Sequence, residues 1–165
     1  MVRELFRFDA PDAIAGWSAI DDRVMGGRSR SALRKTIAAY ATFSGEVSLA
    51  NGGGFASVRS APQDLGAPGA CAYALEARGD GKRYKLSLRT DDAFDGISFQ
   101  AAFVAPAAAF TTIRLPLSAF VAGFRGRPCA SAPPLDPARV RQVGLVVADG
   151  QAGPFELDLR VLRAE

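Results

Sequence analysis

Arg83-Tyr84-Lys85-Leu86-Ser87-Leu88-Arg89 alternates without a break, with Tyr84, Leu86 and Leu88 on one side and Arg83, Lys85, Ser87 and Arg89 on the other. Successive side chains of an extended chain point to opposite faces, so the run reads as a strand with one face in a core and one in water. The same period returns in 43–49, where Phe43, Val47 and Leu49 oppose Ser44, Glu46 and Ser48. It returns again in 155–161, where Phe155, Leu157, Leu159 and Val161 oppose Glu156, Asp158 and Arg160. Less regular runs at 2–8, 37–42, 54–59, 72–78, 97–104, 110–115 and 142–148 bring the expected count to about ten strands. Turn clusters separate them, among them Gly52-Gly53-Gly54, Asp95-Gly96, Asp149-Gly150 and Gly153-Pro154. Gly79-Asp80-Gly81 is predicted to close a hairpin between 72–78 and 83–89, because Asp-Gly supplies the positive φ of tight turns. No long segment carries the helical period; Asp136-Pro137 predicts only one capped helical turn through Arg139. Short strands at regular turn spacing imply an all-β sandwich, with residues 1–165 forming a single domain and 128–137 a long surface loop.

The composition narrows the chemistry. The chain has 165 residues, 48% hydrophobic and 22% charged, and no histidine. That zero removes the usual side-chain base of neutral pH and every Ser-His-Asp or Cys-His arrangement, along with the commonest metal ligand. Cys71 and Cys129 are too few for a Cys₄ zinc site or a disulfide scaffold and read as free thiols of a reducing compartment. The amino terminus lacks a continuous apolar core, and no stretch approaches the ~18 apolar residues of a membrane span, so a cytoplasmic location is expected. The net charge is +3. The basic residues, nearly all arginine, are scattered rather than clustered, and no nucleic-acid partner is expected.

The wet sides of 54–59, 72–78, 83–89 and 97–104 carry Ser57, Arg59, Glu76, Arg78, Arg83, Lys85, Ser87, Arg89, Ser98 and Gln100. If these strands are neighbours, they form one polar face rich in arginine and small hydroxyls. Such a face is either a solvated sheet surface or a binding surface.

Four segments exceed what a generic sandwich needs: Trp17 to Ser29 (WSAIDDRVMGGRS), Asn51 to Arg59 (NGGGFASVR), Arg78 to Tyr84 (RGDGKRY) and Gly150 to Leu157 (GQAGPFEL). Leu115-Pro116 with Phe120, and Arg125-Gly126 ahead of Leu135-Asp136-Pro137, complete the order. In this order and spacing the chain resembles the complex I intermediate-associated protein 30 family, in the form of a stand-alone bacterial-type member. The resemblance implies a galactose-binding-domain-like jelly-roll β-sandwich. It also implies a chaperone-like role in assembling the membrane arm of respiratory complex I, with a protein partner drawn from that complex or its intermediates.

The residues themselves set functional and structural readings side by side. Adjacent Asp21 and Asp22 on an extended chain point to opposite faces and would not share one site; an Asp here is expected to accept backbone N–H bonds from the Met25-Gly26-Gly27 turn. Gly26-Gly27 and Gly52-Gly53-Gly54 lack the Lys-Ser/Thr of a nucleotide loop and read as tight loop geometry. Arg59 and Arg89 end polar stripes, where a guanidinium either grips a carboxylate or partner backbone, or bridges to Glu76, Asp80 or Asp91. Trp17 and Met25 flank the double-Asp loop as partner anchors or as buried plugs. Asp91-Asp92 and Asp95 have an acidic-loop look without the EF-hand order, and no metal is assigned to them. The candidate binding residues are therefore Trp17, Asp22, Met25, Ser57, Arg59, Asp80, Arg89 and Arg125, with no catalytic residue and no cofactor. The leading expectation is a non-catalytic protein-interaction domain. The alternative is a carbohydrate- or other small-ligand-binding module, opposed by the placement of Phe43, Phe55, Tyr84, Phe99, Phe103 and Phe155 on core stripes rather than on a sugar platform. A hydrolase using two of Asp22, Asp80, Asp91 and Asp95 needs a fixed carboxylate separation that nothing in the sequence supplies.

Overall fold

The computed structural model describes residues 2–35 and 39–165, apart from the Val24 side chain. Among the described residues thirteen strands follow in chain order: β1 (Arg3–Arg7), β2 (Ser18–Ala19), β3 (Arg30–Lys35), β4 (Ala41–Val47), β5 (Ala56–Arg59), β6 (Ala72–Arg78), β7 (Arg83–Arg89), β8 (Ser98–Val104), β9 (Thr111–Pro116), β10 (Val121–Phe124), β11 (Arg127–Pro128), β12 (Gln142–Val147) and β13 (Gly153–Ala164). One sheet runs β3-β4-β13-β6-β9, with β1 also paired to β13. The other runs β11-β10-β8-β7-β12-β5-β2. Every pairing is antiparallel. The all-β sandwich expected from the alternation is thus the fold, with a few more strands than the ten anticipated. Among the described residues no α-helix forms, and Pro137–Arg139 makes the one-turn 3-10 helix expected there, with the Asp136 carboxylate accepting from the Ala138 N–H at 3.0 Å.

The inward sides of the alternating runs meet between the sheets. Phe43, Leu157 and Leu159 from one sheet and Tyr84, Leu86 and Leu88 from the other are fully buried. Phe43, Tyr84 and Phe155 touch edge to face, with the Phe43 and Phe155 ring centroids 4.9 Å apart. Burying such side chains contributes about 1.5–3 kcal/mol each. Leu49 departs from its expected core position: β4 ends at Val47 and Leu49 is left 51% exposed. In β13 the alternation breaks at Arg160, where Leu159 pairs with Ala77 but Val161 pairs with Glu76. This bulge resets the phase, so that Leu162 again faces the core and the strand continues to Ala164, beyond the expected end at 161. Of the strand expected over 37–42, residues 37 and 38 lie outside the described residues, and Ala41-Thr42 open β4. The strands that the pattern missed, β2, β3, β10 and β11, are short or lie at sheet edges without a clean alternation.

The hairpin expected at Gly79-Asp80-Gly81 does not form. β6 pairs with β13 and β9, β7 pairs with β8 and β12, and the segment carries the chain from one sheet to the other. Gly81 does supply positive φ, at 85°. The Asp80 carboxylate decides where the chain goes, accepting from the Tyr84 hydroxyl at 3.0 Å and from the Glu156 N–H of β13 at 2.8 Å. The same crossover splits the polar face inferred for four strands: Glu76 and Arg78 lie on the first sheet, while Ser57, Arg59, Arg83, Lys85, Ser87, Arg89, Ser98 and Gln100 share the second.

Because Asp80 bolts the crossover to β13 and β7, Asp80→Ala is expected to lower unfolding free energy by about 1–3 kcal/mol. Urea denaturation should show a lower midpoint at unchanged slope. An unchanged midpoint would deny the carboxylate this role.

Candidate binding face

Two of the motif loops meet around the aspartate pair. Asp22 is fully buried. One of its oxygens accepts the Ser29 N–H at 2.9 Å. The other accepts the Ser29 hydroxyl at 2.6 Å and the Gly54 and Phe55 N–H groups at 2.6 and 3.3 Å. Asp21, pointing the other way as expected for its neighbour on an extended chain, accepts from the Ser31 N–H at 3.0 Å, the Ser31 hydroxyl at 2.5 Å and the Ser57 N–H at 2.9 Å. The aspartates do take backbone N–H bonds, but not from the 25–27 turn; Gly27 N–H goes instead to the Asp22 carbonyl. Two glycines are explained by Asp22 alone. A Cβ on Gly27 would stand 2.4 Å from the Asp22 Cγ, and one on Gly53 would stand 2.4 Å from its Oδ2. Burial works against ionisation of Asp22, yet the bonds from Ser29, Gly54 and Phe55 hold its carboxyl below the usual range.

The third loop, 78–84, is fixed separately through Asp80. Trp17 is half-buried and packs on Phe6 and Phe8, with ring centroids 5.1 and 5.9 Å away. Met25, at the end of the 3-10 turn Asp22–Met25, is 70% exposed, on the rim of the Asp22 loops together with Leu49. Ser57 lies on β5, its hydroxyl bonded to the Ile20 carbonyl.

Arg59 and Arg89 sit on the outer face of the second sheet, and Arg125 in the turn between β10 and β11. Strand register sets one row across that face: Val121, Gln100, Ser87, Gly144, Arg59 and Ser18 lie opposite one another on successive strands. A second row holds Ala102, Lys85, Val146 and Ser57, and Arg89 lies opposite Gln142. The loop 91–96 folds back over this end of the face and is strapped down by polar side chains. Arg59 donates to the Phe94 carbonyl at 2.7 Å, and Arg89 to the Gly96 carbonyl at 3.1 Å. Gln142 donates to the Asp91 and Ala93 carbonyls at 2.8 and 3.0 Å and is itself buried. Arg125 pairs with Asp95 and Arg141 with Asp92, each at 2.7 Å. Arg59, Arg89 and Arg125 are therefore brought to one loop, while Asp22, Ser57 and Met25 belong to the knot beside it and Asp80 to the crossover. The Asp91, Asp92 and Asp95 carboxylates go to different partners, Asp91 accepting from the Ala93 N–H. Gln142, Arg141 and Phe94 were not singled out in the sequence, because their role depends on a loop folding back onto the sheet.

Burial lowers the Arg59 basicity to about 10, with the neighbouring Arg89 charge adding to it, and burial likewise lowers that of Arg89. Both remain cationic at neutral pH. A cleft of about 410 Å³ opens beside Arg59, between β2, residues 60–62 and the strap. The exposed rings are already faced by guanidinium groups: Arg59 lies 5.3 Å from the Phe94 centroid and Arg125 lies 5.1 Å from that of Phe124.

A family model described as Complex I intermediate-associated protein 30 (CIA30) matches residues 6–159. The chain belongs to this family. No curated protein matches it by sequence. Among solved structures, it is similar to the family 11 carbohydrate-binding module of Clostridium thermocellum in complex with a β-1,3-1,4-mixed-linked tetrasaccharide. That likeness has TM-score 0.70 at 13% identity over 99% of this chain and 95% of that one. The same family 11 module from the cellulosomal cellulase Lic26A-Cel5E gives TM-score 0.70 at 14% identity, over 99% and 95%. A family 29 carbohydrate-binding module variant gives TM-score 0.58 at 10% identity, over 100% and 91%. At these identities the likeness defines the jelly-roll, galactose-binding-like sandwich and leaves the ligand to the site. No helix among the described residues is long and apolar enough to cross a membrane.

Asp22→Asn is expected to cost about 2–4 kcal/mol at pH 7, since buried donors lose a charged acceptor. The sign with pH follows from the lowered carboxyl: ionised Asp22 contributes its full stability above the unfolded value near ~3.9 and loses it as pH falls through the folded one. The wild-type advantage over the variant should therefore shrink between pH 5 and 2 in urea titrations. A gap constant with pH would show that the ionised form is not what the knot holds.

Proposed function

We propose that this chain is a non-catalytic protein-interaction domain with a chaperone-like role in the assembly of a respiratory, complex I-type membrane complex. In this reading it works from the cytoplasm and presents the outer face of its second sheet to a subunit or assembly intermediate. Membership in the complex I intermediate-associated protein 30 family supports the class of partner. The observation that carries the reading is the chemistry of that face. Its strands turn Tyr84, Phe99 and Phe103 into the core and present Arg59, Arg89, Lys85, Gln100, Ser18 and Ser57, with Val104 and Val121 exposed among them, while Ser87 and Ser98, expected on the wet side, are buried. Arginine beside isolated apolar side chains suits a polypeptide surface. Sugar stacking calls for open aromatic faces, whereas Phe94 and Phe124 here each carry a guanidinium over the ring.

A photo-crosslinking amino acid at Gln100, in the full chain expressed in its native cells, tests the reading. The expected products are adducts to subunits of a respiratory membrane complex, absent when the crosslinker replaces Thr112 on the opposite sheet. Adducts confined to unrelated abundant proteins, or a glycan from a β-glucan panel binding with a Kd below about 1 mM, would overturn it; that affinity corresponds to about 4 kcal/mol.

A further inference from the structure

Arg59 and Arg89 reach from strands on either side of β12 toward carbonyls two residues apart in the same loop. Each offers five N–H donors, and each has one nitrogen bonded to a neutral oxygen. Among the described residues neither has a carboxylate within ion-pair distance, although the loop above them carries three. Asp92 and Asp95 are held by Arg141 and Arg125, and Asp91 closes a turn onto the Ala93 N–H. Like charge is thus concentrated in a half-buried place, where the contacts at hydrogen-bond distance are carbonyls, the Phe94 ring faces Arg59, and the Asp91 and Asp95 charges act only from beyond ion-pair distance. Desolvated guanidinium groups lose hydration that a carboxylate would replace with two parallel bonds.

We propose that the Arg59–Arg89 pair and the adjoining cleft dock an acidic side chain of a partner polypeptide, an aspartate or glutamate flanked by apolar residues. The proposal rests on the interaction-domain reading and names the chemistry of the partner. The cleft supports the flanking residues: Ile20, Pro62 and the Phe94 ring give apolar walls, while Arg59, Gln142, Ser60 and Asp92, the last neutralised by its ion pair with Arg141, give polar ones. Its volume of about 410 Å³ lies within the range of ligand pockets, ~300–1,000 Å³. A singly charged planar carboxylate fits a guanidinium fork. A phosphate dianion would bring a second charge toward Asp92, which lines the same cleft. The net charge of +3 favours approach of an acidic partner.

The test is an NMR titration of the full chain with a blocked five-residue peptide of alternating leucine and glutamate, and with its leucine–glutamine counterpart. The glutamate peptide should shift the Arg59 and Arg89 side-chain N–H signals saturably. Its affinity should fall about tenfold in Arg59→Gln and in Arg89→Gln, equivalent to about 1.4 kcal/mol. It should stay unchanged in Lys82→Gln, just ahead of the start of β7 and at the opposite end of that strand from Arg89, and weaken with added salt. If a glutamine variant fails to fold, the wild-type shifts and the Arg59→Lys variant, which keeps charge but not the fork, decide the matter. No shift at millimolar peptide, equal shifts with the glutamine peptide, or tighter binding of inorganic phosphate or oligogalacturonate would overturn the proposal. Crosslinked capture at Gln100 that persists in Arg59→Gln/Arg89→Gln, with no peptide binding, would sink this inference and leave the interaction-domain reading standing.

Discussion

Burying two adjacent carboxylates with no ion pair to either among the described residues obliges the chain to surround them with donors, and those donors come from both sheets. Asp22 draws in Ser29 just before β3 and Gly54 and Phe55 just before β5. Ser29 in turn bonds Ser48 at the end of β4. Asp21 bonds Ser31 on β3 in one sheet and Ser57 on β5 in the other. Charged hydrogen bonds are worth about 1.5–3 kcal/mol each, and leaving such a group unpaired would cost more than any one of them supplies. The knot therefore closes one edge of the sandwich as a unit. The glycines follow from it, since Gly27 and Gly53 are the places where a side chain would occupy the space of the carboxylate. The arginine-bearing face follows too: fixing β5 beside β12 sets the phase that turns Arg59 outward in the row with Gly144 and Ser87.

How much of this was legible depended on whether a residue's neighbours were local. The strand at 83–89 and the first part of β13 were readable because one side of each is wholly apolar and the core demands that side inward. Gly79-Asp80-Gly81 carries hairpin chemistry without making a hairpin, because turn residues set how sharply the chain bends, not which sheet receives the next strand. That choice rests with the Asp80 bond to Glu156, 76 residues away. The β13 bulge was invisible because Arg160 looks like any outward residue until its neighbours' pairing is known. Among the candidate site residues, Arg59 and Arg89 stood out as the ends of polar stripes. The strap above them did not, because its anchors grip backbone carbonyls, which every residue has and no sequence pattern marks.

The shared sandwich explains why a chain 13% identical to a carbohydrate-binding module takes the same path. The core needs a period of two and enough apolar volume, and it places no demand on what the outward residues are. Selection is then free to write a different recognition chemistry on the same rows. Here the outward rows carry guanidinium, carboxylate and carbonyl groups, with the large rings turned inward or capped by arginine.

The choice of groups fixes how the face responds to its surroundings. Histidine is absent, so no side chain of ordinary pKa changes charge between pH 6 and 8. The carboxylates that shape the site, Asp22, Asp92 and Asp95, are all held below the usual range. For Asp92 and Asp95 the foremost cause is the hydrogen bond from an arginine. Arg59, lowered chiefly by burial, falls only to about 10 and keeps its charge at neutral pH. The electrostatic pattern of the face is therefore constant across the physiological pH range. Ionic strength still acts on it, because exposed pairs such as Arg125–Asp95 are screened within about 8–10 Å at physiological salt. Under the proposed interaction role, a partner on this face would be held by charge geometry and apolar contact, and competition for those contacts rather than protons would release it.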